Sequence, residues 1–291
     1  MIFSKSMPTH PLFSILIANY NNGKYLMDAI NSVRQQTYTN WEIIIVDDCS
    51  TDNSREVYQA LEQDPQIRNY YNEQNRGCGY TKPRCAQHAQ GELCGFLDPD
   101  DALLPEALEV MVKAHAEHRE VSLVHSKWVM CDEQMNALYE ATGKRQCPEG
   151  TDYLHYNRGI ITAFAAFKNA LYKNTEGINA AFKRAVDQDL YYKLEEEGAT
   201  FFVDQVLYKY REHADCISLN NNVYKADYWH FRAIEDACVR RGIPSDAELI
   251  VSDLLKSYVG RYQHTIDQQS RVLQNPIVKA VHKILRVLRC M

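Results

Sequence analysis

Apolar residues in the first part of the chain form two kinds of pattern. Residues 13–18 (FSILIA) and 43–46 (IIIV) are short continuous runs with the length and isoleucine content of buried strands. Between them, apolar residues recur at the spacing of one helix face, at Leu26, Ala29, Ile30 and Val33. A strand–helix–strand unit of this kind places its two strands side by side and parallel, with their carboxyl ends at one edge of the sheet.

The same alternation continues to about residue 125. The predicted elements are a helix at 50–64, a strand at 67–71, a helix at 81–90, a strand at 93–97, a helix opened by Pro105 and a strand at 122–125. The face of the helix after Pro105 is formed by Leu108, Met111, Val112 and His115. Alternation of strands and helices predicts an α/β fold, Rossmann-like, with a mostly parallel sheet flanked by helices.

From about residue 220 the pattern becomes helical and free of strands. Ser245 and Glu248 form a capping box, and Pro276 marks the start of a last helix. An apolar stripe follows the capping box, at Val251, Leu254, Leu255, Tyr258, Val259 and Tyr262. We therefore predict an α/β domain over residues 1–215 and a helical C-terminal extension over residues 216–291.

Two acidic clusters follow predicted strands. Asp98, Asp100 and Asp101 come directly after the strand at 93–97, and Asp47 and Asp48 end the strand at 43–46. Crowded carboxylates repel one another, and a divalent cation with oxygen ligands removes that repulsion. Capping of the following helices is the alternative role for both clusters. Because both lie at the sheet edge where parallel sheets bind ligands, beside residues 19–22 (NYNN), they outline a pocket.

Several segments together carry a family resemblance. They are residues 13–21 (FSILIANYN), 30–37 (INSVRQQT), 45–52 (IVDDCSTD), 75–77 (NRG), Arg84, 91–92 (GE) and 96–101 (FLDPDD). In order and spacing they resemble the family 2 glycosyltransferases of the GT-A fold, over roughly residues 11–215. The resemblance implies transfer of a sugar from a nucleoside diphosphate, with inversion at the anomeric carbon.

The resemblance also assigns the nucleotide-binding residues. It implies that Ala18 and Tyr20 line the uridine and the ribose. Asp48, or alternatively Asp47, would accept a hydrogen bond from the uracil. Arg76 and Arg84 fall where the family has basic residues near the nucleotide and its phosphates.

A metal site is implied by the same resemblance. Asp98 and Asp100 match the D-x-D motif, with Asp100 as the direct ligand of Mn²⁺ or Mg²⁺ and Asp98 closer to the ribose. The segment Tyr210-Arg211-Glu212-His213 resembles the family's Y-R-x-H segment. A neutral imidazole of His213 could complete the metal shell or contact the diphosphate, and a purely structural histidine is the alternative.

An inverting transfer needs a general base that deprotonates the acceptor hydroxyl. The family supplies it from an E-D-x-D segment at a helix start, which aligns Asp187 as the base and leaves Asp189 as the alternative. Val186 stands where the family usually has Glu. The two aspartates could instead simply favour the positive amino end of a helix running to Glu197.

Three functions remain in competition at this point. The leading one is a metal-dependent inverting glycosyltransferase that uses a UDP-sugar and a glycan or lipid-linked acceptor in bacterial surface polysaccharide synthesis. A sugar nucleotidyltransferase would require a glycine-rich, arginine-containing loop where this chain has residues 19–23 (NYNNG). A non-catalytic sugar-nucleotide-binding or scaffold protein is suggested by Val186.

Charge divides the chain into unlike parts. The 291 residues have 32 basic and 38 acidic side chains, for a formal net charge of −6, which argues against a nucleic-acid partner. Residues 268–291, however, hold Arg271, Lys279, Lys283, Arg286 and Arg289 and no acidic residue. Apolar residues at helical spacing make residues 276–291 a basic amphipathic helix, suited to an anionic membrane surface. Packing on the catalytic domain or on a second copy of the chain, as a homo-oligomer, is the alternative.

Cysteine usage and hydropathy indicate the compartment. The nine cysteines form no C-x-x-C pair, so neither a zinc ribbon nor a disulfide framework is predicted. We find no apolar run long enough for a signal peptide, and none approaches the roughly 18 residues of a spanning helix. We expect a cytoplasmic protein, located at the inner face of the cytoplasmic membrane if its tail binds lipid.

Overall fold

A computed structural model of the chain describes residues 8–156, 160–214 and 223–243. The chain divides into two compact units, Met1–Ala237 and Cys238–Met291. In the second unit, only residues 238–243 are described. The capping box at Ser245, the apolar stripe that follows it and the basic tail therefore lie outside the described residues. The proposed domain boundary at residue 215 stays a prediction.

The first half of the chain has the predicted alternation of strands and helices. Its elements are β1 (Phe13–Asn19), α1 (Gly23–Arg34), β2 (Trp41–Asp47), α2 (Ser54–Leu61), β3 (Ile67–Tyr71), α3 (Cys78–His88) and β4 (Leu93–Phe96). β1 pairs in parallel with both β2 and β4, and β2 pairs in parallel with β3. Helix α2 is shorter than predicted, because residues 50–53 form the turn that leads into it.

The second half adds antiparallel strands. Its elements are β5 (Ala102–Leu103), α4 (Ala107–Glu117), β6 (Val121–Cys131), β7 (Ala137–Glu140), β8 (Ala165–Lys168), α5 (Asn169–Tyr172), α6 (Val186–Glu197), β9 (Ala199–Arg211) and α7 (Val223–Arg241). β8 lies antiparallel between β4 and β6, while β6 pairs in parallel with β9. Helix α6 begins and ends close to where the sequence predicted it.

The described strands form one nine-stranded sheet in the order β3-β2-β1-β4-β8-β6-β9-β5, with β7 paired to β6. The molecule is therefore a mixed α/β fold with helices flanking a central sheet. Strand β8 inserts between the parallel half and the β6–β9 pair, so the carboxyl ends of β1, β2 and β4 lie in the same sheet as β9. This topology brings residues 98–101 close to the end of β9, where Asp101 Oδ1 accepts the N–H of Arg211 at 2.7 Å.

The core explains the continuous apolar runs. Phe13, Ile15 and Leu16 of β1 are fully buried, although they point to both faces of the sheet. A strand covered by helices on both faces shows no alternation of apolar and polar residues. The predicted buried face of α4 is confirmed, since Leu108, Met111, Val112 and His115 are all buried. Among the described residues, no helix is both long enough and apolar enough to cross a bilayer.

Candidate active site

The ends of three parallel strands form one edge of the candidate site. Asn19 is the register partner of Asp47, and the backbone N–H of Asp48 donates to the Asn19 carbonyl at 2.8 Å. The N–H of Leu97 donates to the carbonyl of Leu16 in β1 at 3.0 Å, which aligns the acidic segment that follows. The structure therefore brings the two predicted acidic clusters to the same sheet edge.

Asp47 is engaged with its own strand–helix connection. Its carboxylate is 5% exposed and accepts hydrogen bonds from Tyr58 Oη at 2.7 Å and from the Ser50 N–H at 2.8 Å. Asn19 Nδ2 is a third donor, at 3.3 Å. Burial raises the pKa of Tyr58, and the negative charge of Asp47 raises it further. These bonds hold α2 against the end of β2.

Asp48 shapes the loop that precedes α3. Its buried carboxylate accepts the N–H of Gly77 at 2.7 Å, the N–H of Arg76 at 3.0 and 3.1 Å, and Asn72 Nδ2 at 2.6 Å. Gly77 has φ +82°, a left-handed conformation that favours glycine. The loop carries the exposed Arg76, whose guanidinium lies 3.9 Å from the centroid of the Tyr80 ring. Asp48 therefore determines where the Arg76 backbone lies.

The remaining predicted nucleotide-binding residues flank this loop. Tyr20 is 44% exposed directly after β1, and Ala18 is half-buried near the end of that strand. Arg84 donates through Nη1 to the carbonyl of Tyr71 at 3.1 Å and also to Asn72 Oδ1. Arg84 thereby joins α3 to the end of β3, next to the Asp48 loop.

Lys82 was missed by the sequence analysis. Its Nζ lies 3.0 Å from Asp98 Oδ1, and its side chain is 13% exposed. Burial opposes the charge of this ammonium, but the negative charges of Asp98 and Asp187 outweigh burial and raise the pKa of Lys82. No local sequence signal places Lys82 at the site, because its pairing with Asp98 depends on how α3 packs beside the acidic segment. One ammonium thus lies within electrostatic range of the D-x-D segment and of α6.

Asp100 and His213 meet although 113 residues separate them. Asp100 Oδ2 lies 2.9 Å from His213 Nε2, and the His213 side chain is 5% exposed. The Tyr25 ring lies 5.0 Å from the imidazole, centroid to centroid. Two neighbouring ligands of an octahedral cation, each about 2.1 Å from it, are about 3 Å apart. The pair therefore fits a divalent cation, although the described residues contain no preformed group of three or more acidic, histidine or cysteine ligands.

The third carboxyl of the segment, Asp101, connects it to β9. Asp101 is 2% exposed and accepts hydrogen bonds from Tyr208 Oη at 2.6 Å and from the Arg211 N–H at 2.7 Å. Burial raises the pKa of Asp101, and the charges of Asp100 and Asp98 raise it further. These two bonds fix the end of the acidic segment against the strand that leads to His213.

The two candidate bases differ in their surroundings. Asp189 is fully buried and accepts hydrogen bonds from Lys193 Nζ at 2.9 Å and from the Asn179 N–H at 2.8 Å. Asp187 is half-buried in the first turn of α6, and Gln188 Nε2 lies 3.4 Å from its Oδ2. Val186, which stands at the family's usual Glu position, is buried. Of the two aspartates, Asp187 is therefore the one that a substrate can reach.

Comparisons with known proteins place the chain in a family. It is 28% identical to the chondroitin synthase of Escherichia coli over 252 residues, 83% of this chain but 35% of that protein, so it spans about a third of that relative's length. Its fold is similar to that of S. aureus TarS 1-349 in complex with UDP-GlcNAc, with a TM-score of 0.68 and 19% identity over 85% of this chain and 72% of that one.

A second solved structure shares the fold. The mannosyltransferase PcManGT from Pyrobaculum calidifontis, in complex with GDP-Man and Mn²⁺, matches 96% of this chain and 85% of its own length, with a TM-score of 0.57 and 14% identity. The sequence model described as "Glycosyl transferase family 2" matches residues 14–191, which carry Asp47, Asp48, Asp98, Asp100 and Asp187. The chain therefore belongs to glycosyltransferase family 2.

Proposed function

We propose that this protein is an inverting, metal-dependent glycosyltransferase that moves a sugar from a UDP-sugar to a hydroxyl group of a glycan or lipid-linked acceptor. One observation carries the proposal: in the acidic segment after β4, Asp98 pairs with the Lys82 ammonium at 3.0 Å while Asp100 meets His213 at 2.9 Å. The segment expected to bind the donor thus combines a fixed positive charge with a pair of side chains suited to a cation.

The donor and the pathway are proposed from relatives. TarS has been solved with UDP-GlcNAc, which supports a UDP-sugar as donor. The relative from Escherichia coli is named a chondroitin synthase, and this supports a role in bacterial surface polysaccharide synthesis. PcManGT, solved with GDP-Man, makes a GDP-sugar the second candidate donor.

Asp187 is proposed as the general base. Its carboxylate takes the proton of the acceptor hydroxyl while the hydroxyl oxygen forms a bond to the anomeric carbon of the donor sugar. The bond from that carbon to the diphosphate oxygen breaks, and the nucleoside diphosphate leaves with the electron pair from the opposite face. Asp189 cannot fill this role easily, because its carboxylate is buried and paired with Lys193.

Asp100 and His213 are proposed to hold the divalent cation, Mn²⁺ or Mg²⁺. Their 2.9 Å separation suits neighbouring positions around one ion and leaves other positions for phosphate oxygens and water. When bound, the cation would offset the negative charge of the departing diphosphate. PcManGT, solved with Mn²⁺, supports this assignment. Transfer should therefore stop on treatment with EDTA and return on addition of Mn²⁺.

The remaining predicted residues are proposed to bind the nucleotide. Tyr20 and Ala18 would contact the uridine, and Asp98 would lie near the ribose. Asp48 would accept a hydrogen bond from the uracil, or it would fix the loop at residues 75–77 that lies beside the base. Arg76 is exposed and can turn toward the phosphates. Arg84 and Asp47 would act by holding the walls of this site, because both are already hydrogen-bonded to neighbouring protein groups.

We also propose that the protein is cytoplasmic and docks on the inner face of the membrane through residues 276–291. The basic and apolar composition of this tail supports the idea. Flotation with phosphatidylglycerol vesicles should recover the full chain and leave a chain lacking residues 268–291 at the bottom of the gradient. Equal flotation of both chains would contradict the membrane role. A lighter assembly in light scattering after truncation would instead identify a homo-oligomer contact.

A panel of nucleotide sugars tests the proposed reaction. Purified protein with Mn²⁺ is incubated with UDP-, GDP- and dTDP-sugars, and the release of nucleoside diphosphate is measured with and without candidate glycan acceptors. We expect release with a UDP-sugar that is stimulated by acceptor. Release that is confined to GDP- or dTDP-sugars would replace the proposed donor, and formation of pyrophosphate would indicate a nucleotidyltransferase.

A further inference from the structure

We propose that Arg211 is a positioning residue that holds Asp100 and His213 in the geometry required by a divalent cation. The inference rests on the proposed function, since it presumes a cation at this pair. Arg211 itself would touch neither the cation nor the donor, because its guanidinium already forms hydrogen bonds and an ion pair with other protein groups. Its role is to fix the place of the two ligands before any ion arrives.

The guanidinium of Arg211 joins three separate segments. Its Nε donates to the carbonyl of Asp100 at 2.6 Å, and its Nη2 forms an ion pair with Asp28 Oδ2, also at 2.6 Å. Its Nη1 donates to the carbonyl of Glu133, in the turn between β6 and β7. Because the side chain is only 3% exposed, water does not easily replace these partners.

The backbone of Arg211 fixes the same segment from a second direction. Its N–H donates to Asp101 Oδ1 at 2.7 Å. Asp100 is therefore held through its own carbonyl and through the side chain of its neighbour, both by one residue. His213 follows Arg211 by two positions along the chain, so whatever fixes Arg211 also limits where the imidazole can lie.

Tyr25 of α1 closes this arrangement. Its ring lies 4.5 Å from the Arg211 guanidinium and 5.0 Å from the His213 ring, measured between centres. Its hydroxyl donates to Glu133 Oε1 at 2.7 Å. Helix α1, the turn at Glu133 and the end of β9 are thus joined around one buried arginine next to the Asp100–His213 pair.

Arginine is required for this role, and lysine would be a poor substitute. The planar guanidinium presents donors in a fixed fork and can serve three acceptors in different directions, whereas an ammonium is a compact point charge on a flexible stem. Ligands that are already ordered bind an ion more tightly, because the entropy of ordering them is not lost on binding. Replacement of the Arg211 guanidinium should therefore weaken cation binding even when the protein stays folded.

The test is the affinity for Mn²⁺ in the presence of UDP, measured from the EPR signal of free aqueous Mn²⁺, without acceptor or turnover. Arg211→Lys should raise the Kd for Mn²⁺ by about 10- to 100-fold, as expected for groups that orient metal ligands. Asp28→Asn removes the negative charge of the Nη2 partner, which lies at a half-exposed position, and should raise the Kd by a smaller factor. Arg68→Lys is the matched control, because Arg68 also pairs with a carboxylate, that of Glu42, and donates to a backbone carbonyl, that of His88. Arg68 lies in β3, at the opposite edge of the sheet from β9.

The outcomes separate this inference from the proposed function. If the two Arg→Lys variants lose thermal stability but only Arg211→Lys loses Mn²⁺ affinity, the positioning role is supported. An unchanged Kd in Arg211→Lys, or an equal rise in Arg68→Lys, overturns it while leaving the metal requirement intact. If Arg211→Lys does not fold, Asp28→Asn decides, and an unchanged Kd there overturns the inference. Absence of Mn²⁺ binding by the wild-type protein would overturn the metal requirement and this inference together.

Discussion

Lys82 Nζ and Asp98 Oδ1 form an ion pair 3.0 Å long, between the middle of α3 and the acidic segment after β4. Asp98 remains 45% exposed on its side chain, while Lys82 is 13% exposed. The Lys82 ammonium therefore holds the Asp98 carboxylate in place while that carboxylate remains accessible to a ligand. A negative charge brought by a donor would meet a positive charge that is already fixed in place.

Lys82→Met should impair transfer far more than stability. Removal of one preorganised charge at a reacting diphosphate costs about 10²- to 10³-fold in kcat. Lys193→Met is the matched control, because it also removes an ammonium from a lysine–aspartate pair, in this case a fully buried one 2.9 Å long. We expect that control to lower the free energy of unfolding by about 3 kcal/mol and to leave kcat per folded molecule nearly unchanged. Equal kcat in the two variants would show that Lys82 is only structural.

Asp187→Asn should remove the base while preserving the fold. We expect kcat to fall by about 10²- to 10⁴-fold with little change in the affinity for UDP, measured by calorimetry. Asp189→Asn should mainly lower the melting temperature, because it breaks the buried pair with Lys193 and the bond to the Asn179 N–H. The assignment is wrong if Asp189→Asn abolishes transfer at unchanged stability while Asp187→Asn remains active.

Asp48→Asn should weaken donor binding through the loop at residues 75–77. An asparagine amide has only one acceptor oxygen, so it cannot accept from Arg76, Gly77 and Asn72 as the carboxylate does. We expect KM for the donor to rise by about 10-fold and amide hydrogen exchange at Gly77 to accelerate. Asp64→Asn is the control, because Asp64 also caps a backbone N–H, that of Gln66, but before β3. Similar changes in KM for both variants would contradict the role of Asp48.

His115 makes stability sensitive to acid. The imidazole is fully buried against the Ala166 carbonyl, 3.1 Å from Nε2, and burial lowers the pKa of His115 from 6.5 to about 3. The unfolded chain therefore binds a proton below pH 6.5 that the folded chain does not. Stability that is present above pH 6.5 is lost progressively as the pH falls toward 3, by about 1.4 kcal/mol per pH unit.

His115→Gln tests this dependence, because glutamine can donate to the same carbonyl without titrating. Both proteins are unfolded with urea at pH 8, 6 and 5. The free energy of unfolding should fall with decreasing pH by less in the variant than in the wild-type protein. At pH 5 the difference between the two proteins should have changed by about 2 kcal/mol relative to pH 8. A constant difference over this pH range would show that His115 does not titrate on unfolding.

Much of the fold could be predicted because its information is local. The apolar runs of β1 and β2 and the helix-spaced residues of α1 and α4 each lie within a dozen positions. Strand β8 has only four residues and pairs with β4 and β6, which are distant in the chain, so no local pattern predicted its antiparallel insertion. The C-terminal helices beyond residue 243 remain predictions.

The sequence predicted which residues could form the candidate site, but it did not predict which side chains those residues contact. The D-x-D aspartates and Asp187 follow from the family resemblance, whereas the ion pair of Lys82 with Asp98 depends on how α3 packs beside β4. The meeting of Asp100 with His213 depends on the β6–β9 pairing and on Arg211. The four-residue spacing of Asp189 and Lys193 on α6 is that of a helical salt bridge, a signal that the sequence analysis did not use and that favours Asp187 as the base.

The most direct test of inverting transfer through Asp187 is the anomeric configuration of the product, read by proton NMR from a reaction with an α-linked UDP-sugar, Mn²⁺ and a glycan acceptor. The proposed mechanism predicts a β-linked product from the wild-type protein and almost none from Asp187→Asn at equal donor binding. An α-linked product, or a β-linked product formed at the wild-type rate by Asp187→Asn, would contradict it.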